Sequence, residues 1–158
     1  MKIVIAGGGR IGGTVAAVLS EEGHDITLID HDSETIRTAS NAMDIICVEG
    51  DAADPEALKE AGVSSADLLL AATEKDEVNM VCGIAARRLG AKHVIARIRD
   101  PRYLHQMDFL RDVLGLSQIA YVQYVHQKWV GVLLIAAILQ LYTTHRIDHE
   151  LSKEAKKR

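Results

Sequence analysis

Lys2-Ile3-Val4-Ile5-Ala6-Gly7-Gly8-Gly9-Arg10-Ile11-Gly12-Gly13 is the stretch on which the reading of the whole chain turns. Ile3-Val4-Ile5-Ala6 make a short apolar run, which suits a strand buried on both faces. Five of the twelve glycines then fall within positions 7–13. Gly7-x-Gly9-x-x-Gly12 has the spacing that cradles a dinucleotide. The first glycine turns tightly, the second lets backbone approach a pyrophosphate, and the third lets helix pack on strand. On its own the spacing is a weak signal. Here it follows a strand-like run and opens a helix-spaced segment at 11–22, whose first N–H groups face an anion.

Working outward, the hydrophobic period keeps switching between strand and helix. Continuous apolar runs predict strands at 3–6, 26–29, 45–48, 68–71 and 94–96. Helical spacing fills the gaps, at 11–22, 33–41, 55–61, 76–89 and 101–109. This alternation implies βαβ units with right-handed crossovers, hence an α/β fold of Rossmann type: a doubly wound parallel sheet. Pro55 follows Asp54 and Pro101 follows Asp100, each a proline at the first helical position behind an aspartate cap. Gly90 stands where a C-terminal cap glycine belongs, after Arg87 and Arg88 in the last turn. With no break before about residue 112, residues 1–112 read as one nucleotide-binding domain. Residues 113–158 read as a C-terminal crossover or dimerisation helix with a charged tail.

The composition narrows the function. With 158 residues, 48% of them hydrophobic and a net charge of −4, the chain is neither disordered nor a charge-driven nucleic-acid binder. Two cysteines, Cys47 and Cys82, form no disulfide framework and read as small buried apolar residues in a reducing compartment. Met1-Lys2-Ile3 runs directly into the first strand, so no signal peptide is expected. The length accommodates a cofactor-binding half but no substrate domain beside it.

Ligands of open α/β sheets bind outside the carboxyl ends of the strands. After the first strand come Gly7, Gly9, Arg10, Ile11 and Gly12. Asp30 closes the second strand, placed to accept hydrogen bonds from a ribose hydroxyl and to repel a 2′-phosphate. His31 follows at the same strand end, and neither it nor Asp32 supplies an arginine for such a phosphate; Asp32 fits better as the next helix cap. The expected ligand is therefore NAD(H) or ADP/ATP, with NADP(H) disfavoured. At the third strand end, Gly50, Asp51 and Ala52 face the adenine edge or form a βα turn. At the fourth, Thr73 either lines the cleft or opens a helix-capping box with Asp76. Arg97, at the fifth, and Arg10 are the cations that could reach phosphate; Arg99 reads as a solvated surface residue.

Several further motifs occur in order: Val48-Glu49-Gly50-Asp51-Ala52-Ala53-Asp54-Pro55, Ala66-Asp67, Thr73-Glu74-Lys75-Asp76-Glu77-Val78-Asn79 and Ala96-Arg97-Ile98-Arg99-Asp100-Pro101 with Tyr103. Together with Asp30 they resemble the TrkA N-terminal domain (KTN or RCK domain) over about residues 1–112. The resemblance implies a cytoplasmic regulatory subunit of a Trk- or Ktr-type potassium uptake system or channel. Such a subunit sits on the inner face of the membrane through its transporter partner, assembles as a homodimer or larger ring, and performs no catalysis. It further implies that Gly7, Gly9 and Gly12 hold phosphates, Asp30 the ribose, and Asp51 with Ala52 the adenine. Thr73 goes to the cleft and Arg97 to phosphate or a neighbouring subunit, while Glu77 and Asn79 match a family helix.

The tail departs from that pattern. The family continues past Leu114-Gly115-Leu116 with a strand, a proline-containing turn and a crossover helix, whereas 117–124 holds no proline. The apolar run 129–139 is too short to span a bilayer and is expected to bury against a partner subunit. Tyr124-x-x-x-Lys128 mimics a dehydrogenase pair without its serine. His145-x-x-x-His149 lacks a third metal ligand. No catalytic or metal residue is nominated. The competing readings are the cofactor half of an NAD-dependent oxidoreductase and a structural Rossmann domain with an empty site.

Overall fold

A computed structural model of the chain describes residues 1–103 in full and residues 119–123 by their backbone. The elements in order are β1 (Lys2–Ala6), α1 (Arg10–Glu21), β2 (Asp25–Asp30), α2 (Ser33–Ala42), β3 (Ile46–Glu49) and α3 (Pro55–Glu60). A short 3-10 turn (Val63–Ser65) then leads to β4 (Leu68–Ala71), α4 (Asp76–Leu89), β5 (His93–Ile98) and β6 (Ile119–Gln123). The strands form one parallel sheet in the order β3-β2-β1-β4-β5-β6, within a compact unit spanning Met1–Tyr124. The chain starts at the centre, winds outward one way through β2 and β3, then crosses back past β1 to β4. The predicted doubly wound arrangement is the observed one.

Sheet position explains the strand composition. β1 lies between β2 and β4, with its Ile3, Val4, Ile5 and Ala6 fully buried, and Leu68–Leu70 of β4 are equally so. Each such aliphatic side chain contributes roughly 1.5–3 kcal/mol through burial, which no polar residue could replace with helices on both faces. Val4 and Ala6 share a core with Leu58 of α3 and with Cys82 and Ala86 of α4. Ile5, on the opposite face, approaches Gly12 of α1.

Two expectations needed correction at the sheet margins. The run 45–48 reads as a fully buried strand, yet Ile46 is 66% exposed and Cys47 only half-buried. Among the described residues β3 is an edge strand, so one flank has no neighbour there to cover it. β5 extends two residues beyond the expected 94–96, to Ile98. Pairing with β4 ends at Ala96, but β6 continues the ladder through Arg97 and Ile98. Strand β6 itself was not among the expected five. The predicted helix 101–109 passes beyond the described residues after Tyr103. The apolar run 129–139 and the Tyr124/Lys128 and His145/His149 pairs also lie outside them.

The helix signals are observed where they can be checked. Asp32 caps α2, accepting from the Glu34 and Thr35 amides, and Asp54 caps α3 ahead of Pro55. α4 ends at Gly90, and Arg87 donates to the Ala91 and Lys92 carbonyls.

Candidate functional site

The first turn of α1 differs from those of α2 and α3. Its N-cap is Gly9, with no side-chain hydrogen bond to its first amides. Gly7 has φ +104, the left-handed region that a side chain disfavours, and a Cβ there would lie 2.8 Å from the Thr73 amide nitrogen. At Gly12 a Cβ would run into the Gly7 carbonyl oxygen. At Gly9 the same construction meets nothing within 4 Å. The first and third glycines are thus demanded by packing, and the second faces open space that a ligand can enter.

That space is a cleft of about 420 Å³ at the carboxyl ends of the strands. It gathers Gly7 and Gly9 from the loop, Asp30 and His31 from β2, Gly50, Asp51 and Ala52 after β3, and Thr73 after β4. Four nominated residues do not line it. Gly12 packs beneath the loop, while Arg10 and Ile11 begin α1, with Arg10 exposed. Arg97 is half-buried, its Nη1 3.4 Å from the Thr73 carbonyl oxygen. A larger hollow, about 620 Å³, lies at the opposite ends of the strands among Lys2, His24 and Ile46. It has neither the glycine loop nor the N-terminus of α1, so it lacks the bare helix-end amides of the smaller cleft.

Asp30 is fixed by the backbone around it. Its Oδ2 accepts from the Gly8 amide at 2.6 Å and its Oδ1 from the Asp32 amide at 2.9 Å. His31 Nδ1 stands 3.1 Å from the same Oδ1, on an imidazole that is largely exposed. Asp32 is both cap and cleft wall, and hydrogen bonds from the Thr35 hydroxyl and from the Thr35 and Glu34 amides hold its carboxyl below the usual range. Asp51 lines the cleft and also accepts from the Ala53 amide at 2.8 Å, as a βα turn requires.

Thr73 does not cap α4. The N-cap is Lys75, without a side-chain cap bond, and Thr73 is held instead by Asn79. Asn79 is fully buried; its Oδ1 accepts from the Thr73 amide at 2.8 Å and hydroxyl at 2.7 Å. Its Nδ2 donates to the carbonyls of Thr73 and Arg97. One turn earlier, the buried Asp76 carboxylate accepts from the Arg99 and Asp100 amides and pairs with Arg99 Nε at 3.3 Å. Arg99 is therefore exposed but engaged, contrary to its reading as a purely solvated residue. Sequence reasoning assigned Asn79 no role and placed Asp76 only in a capping box. A signal existed, because both share a helical stripe with Cys82, Gly83 and Ala86, where a polar residue needs a partner. Cys82, deep in that stripe, has its thiol pushed up to about 12 by burial and then by the nearby Asp51 charge, so it stays protonated and unreactive. Burial also raises the Cys47 thiol.

A parallel sheet of this order, with a glycine loop and an acidic second strand end, defines a Rossmann-type domain with an open cleft at the carboxyl ends of its strands. The narrower assignment comes from comparison with known proteins. The TrkA-N domain family model matches residues 3–121, and the chain belongs to that family. It is 40% identical over 111 residues to the Trk system potassium uptake protein TrkA of Vibrio alginolyticus. The match covers 70% of this chain and 24% of that protein, so the chain spans about a quarter of its relative's length. Among solved structures, the Shewanella denitrificans Kef C-terminal domain in AMP-bound form is 26% identical with a TM-score of 0.61, covering 98% of this chain and 92% of that one. A GsuK channel bound to NAD shares the fold at 21% identity and a TM-score of 0.61, over 75% of this chain and 21% of that one.

Proposed function

We propose that this domain senses an adenine nucleotide, NAD(H) or ADP/ATP, and passes its bound state to a membrane potassium transporter as a non-catalytic regulatory subunit. The observation that carries the reading is the pairing of Asp30 with the glycine loop. A carboxylate fixed on the Gly8 amide stands at the mouth of an uncapped helix N-terminus, as ribose and pyrophosphate require of neighbouring groups. Gly50, Asp51 and Ala52 would border the adenine, and Thr73 the far side. The β2 end of the cleft offers Asp30, His31 and Asp32 and no arginine, which disfavours NADP(H).

The relatives named as Trk uptake proteins and the nucleotide-bound neighbours support this assignment. So does the commitment of Asp30, Asp32 and Asp51 to backbone amides, which suits holding a ligand better than exchanging protons. Among the described residues no helix is long and apolar enough to cross a membrane. We place the domain on the cytoplasmic face, docked to its transporter, with residues 1–112 binding nucleotide and 113–158 joining a homodimer or ring. Signalling requires that the nucleotide bind two conformations with different affinity.

The test is calorimetric titration of the purified chain with NADH, NAD, ADP and ATP, alongside light scattering and an NADH oxidation assay with a panel of small carbonyls. Binding without turnover is expected, with Asp30→Ala weakening every nucleotide about tenfold. Steady NADH oxidation would instead establish the cofactor half of an oxidoreductase. Unchanged affinity in Asp30→Ala would remove the ribose assignment.

A further inference from the structure

The cations that the sequence nominated for phosphate are not in the cleft. Arg97 donates to the Thr73 carbonyl and Arg10 is outside the lining; Arg99, read as a surface residue, is engaged with Asp76. Lys75 is the one lysine or arginine among the described residues that lines it. Its amide donates to the Thr73 hydroxyl at 3.3 Å, and that hydroxyl gives its own proton to Asn79 Oδ1 at 2.7 Å. Thr73 in turn abuts Gly7, so Lys75 springs from the turn that touches the glycine loop.

The cleft around it is acidic. Asp30, Asp32, Asp51 and Glu74 line it, with His31 and Lys75 as the only other titratable groups there among the described residues. A di- or triphosphate entering such a place meets repulsion that the loop amides alone must offset. Asp30 and Asp32 stand at the β2 end, while Glu74 and Lys75 belong to the β4 end, beyond the glycine loop. With the ribose on Asp30 and the first phosphate over Gly9, the terminal phosphate of ADP or ATP comes toward the Lys75 ammonium. A dinucleotide presents a second ribose there, with no terminal charge to match. We infer that Lys75 is the specificity-determining residue of this cleft, binding the terminal phosphate and selecting adenosine di- and triphosphates over AMP and NADH.

This inference rests on the nucleotide-binding reading above, and one experiment separates their failures. The full chain and its Lys75→Gln, Lys75→Arg and Arg10→Gln variants are titrated with AMP, ADP, ATP and NADH at low salt. Lys75→Gln should weaken ADP and ATP about tenfold and AMP and NADH less than twofold, with Lys75→Arg retaining most of the preference. Thermal melts check that each variant is folded. Unchanged ADP and ATP affinity in Lys75→Gln, an equal loss for all four ligands, or transfer of the selective loss to Arg10→Gln would overturn the role of Lys75 and leave the nucleotide site intact. Failure of the wild-type chain to bind any of the four would overturn both.

Discussion

Helices α1 and α4, on either side of the cleft, both begin without a side-chain cap, but α1 opens on bare glycine while α4 begins among buried side chains that tie its turn to the sheet. On the α1 side the donors are bare backbone, and the Cβ direction at Gly9 is open. On the α4 side Asn79 and Asp76 together join the β4 turn to the end of β5 and the residues after it. Unsatisfied amides are useful only where a ligand will satisfy them, and rigid polar ties only where backbone must keep its place without one. On the proposed reading, the glycine wall holds the body of the nucleotide, while the buried ties of the α4 wall carry its bound state onward. Asn79 bonds both Thr73 in the cleft and Arg97 on β5, and so links the Thr73 turn to the strand that pairs with β6.

The sharpest way to break the contrast is at Gly12. Gly12→Val would drive a branched side chain into the Gly7 carbonyl, forcing α1 off β1 and the phosphate loop out of shape. A loss of about 3 kcal/mol in stability is expected, with nucleotide binding abolished, read by urea unfolding and titration. Gly9→Ala is the matching control. The Gly9 φ of −62 accepts alanine and its Cβ meets no neighbour, so stability should stay within about 0.5 kcal/mol while nucleotide affinity falls. If both variants lose stability equally, the glycine wall is a packing feature and not a binding surface.

Asn79→Ala comes next in size. It would strip the Thr73 amide of its acceptor and two carbonyls of their donor in a fully buried position, at a cost of about 2–3 kcal/mol. Below the melting temperature the glycine wall is unaltered, so nucleotide affinity should fall less than tenfold. A variant that keeps wild-type stability would mean that Asn79 does not hold the turn.

Much of this was legible in the chain because the deciding forces are local. The glycine spacing, the aspartate caps and the unbroken apolar runs each act within a few residues, and they placed α4 at 76–89 as observed. What depended on a distant neighbour was harder to read. β5 runs on to Ile98 only because β6, some 20 residues later, continues its ladder, so Arg97 sits within a strand and not at its end. Ile46 looked like core because edge position is a property of the sheet and not of the segment. In the cleft, residue types predicted Asp30 and the glycines. The cation that faces the cleft was settled by the turn geometry that Asn79 imposes on residues 73–75, which no spacing rule encodes.

The smallest effect tests a third helix start, that of α2, where Asp32 closes the amides that α1 leaves open. Hydrogen bonds from Thr35 and Glu34 depress the Asp32 carboxyl in the folded chain. A depressed carboxyl stabilises the fold fully above its unfolded value, about 3.9, and the contribution is lost as pH falls through the lower folded value. Asp32→Ala should therefore be less stable than wild type at pH 7, with the gap narrowing below about pH 4 in urea unfolding. Asp32→Asn keeps the acceptor without the charge, so its stability relative to Asp32→Ala should stay level across the same range. A gap between wild type and Asp32→Ala that does not change with pH would show that the α2 cap works by shape alone. The amides at this rim of the cleft would then be shielded from the ligand without any help from charge.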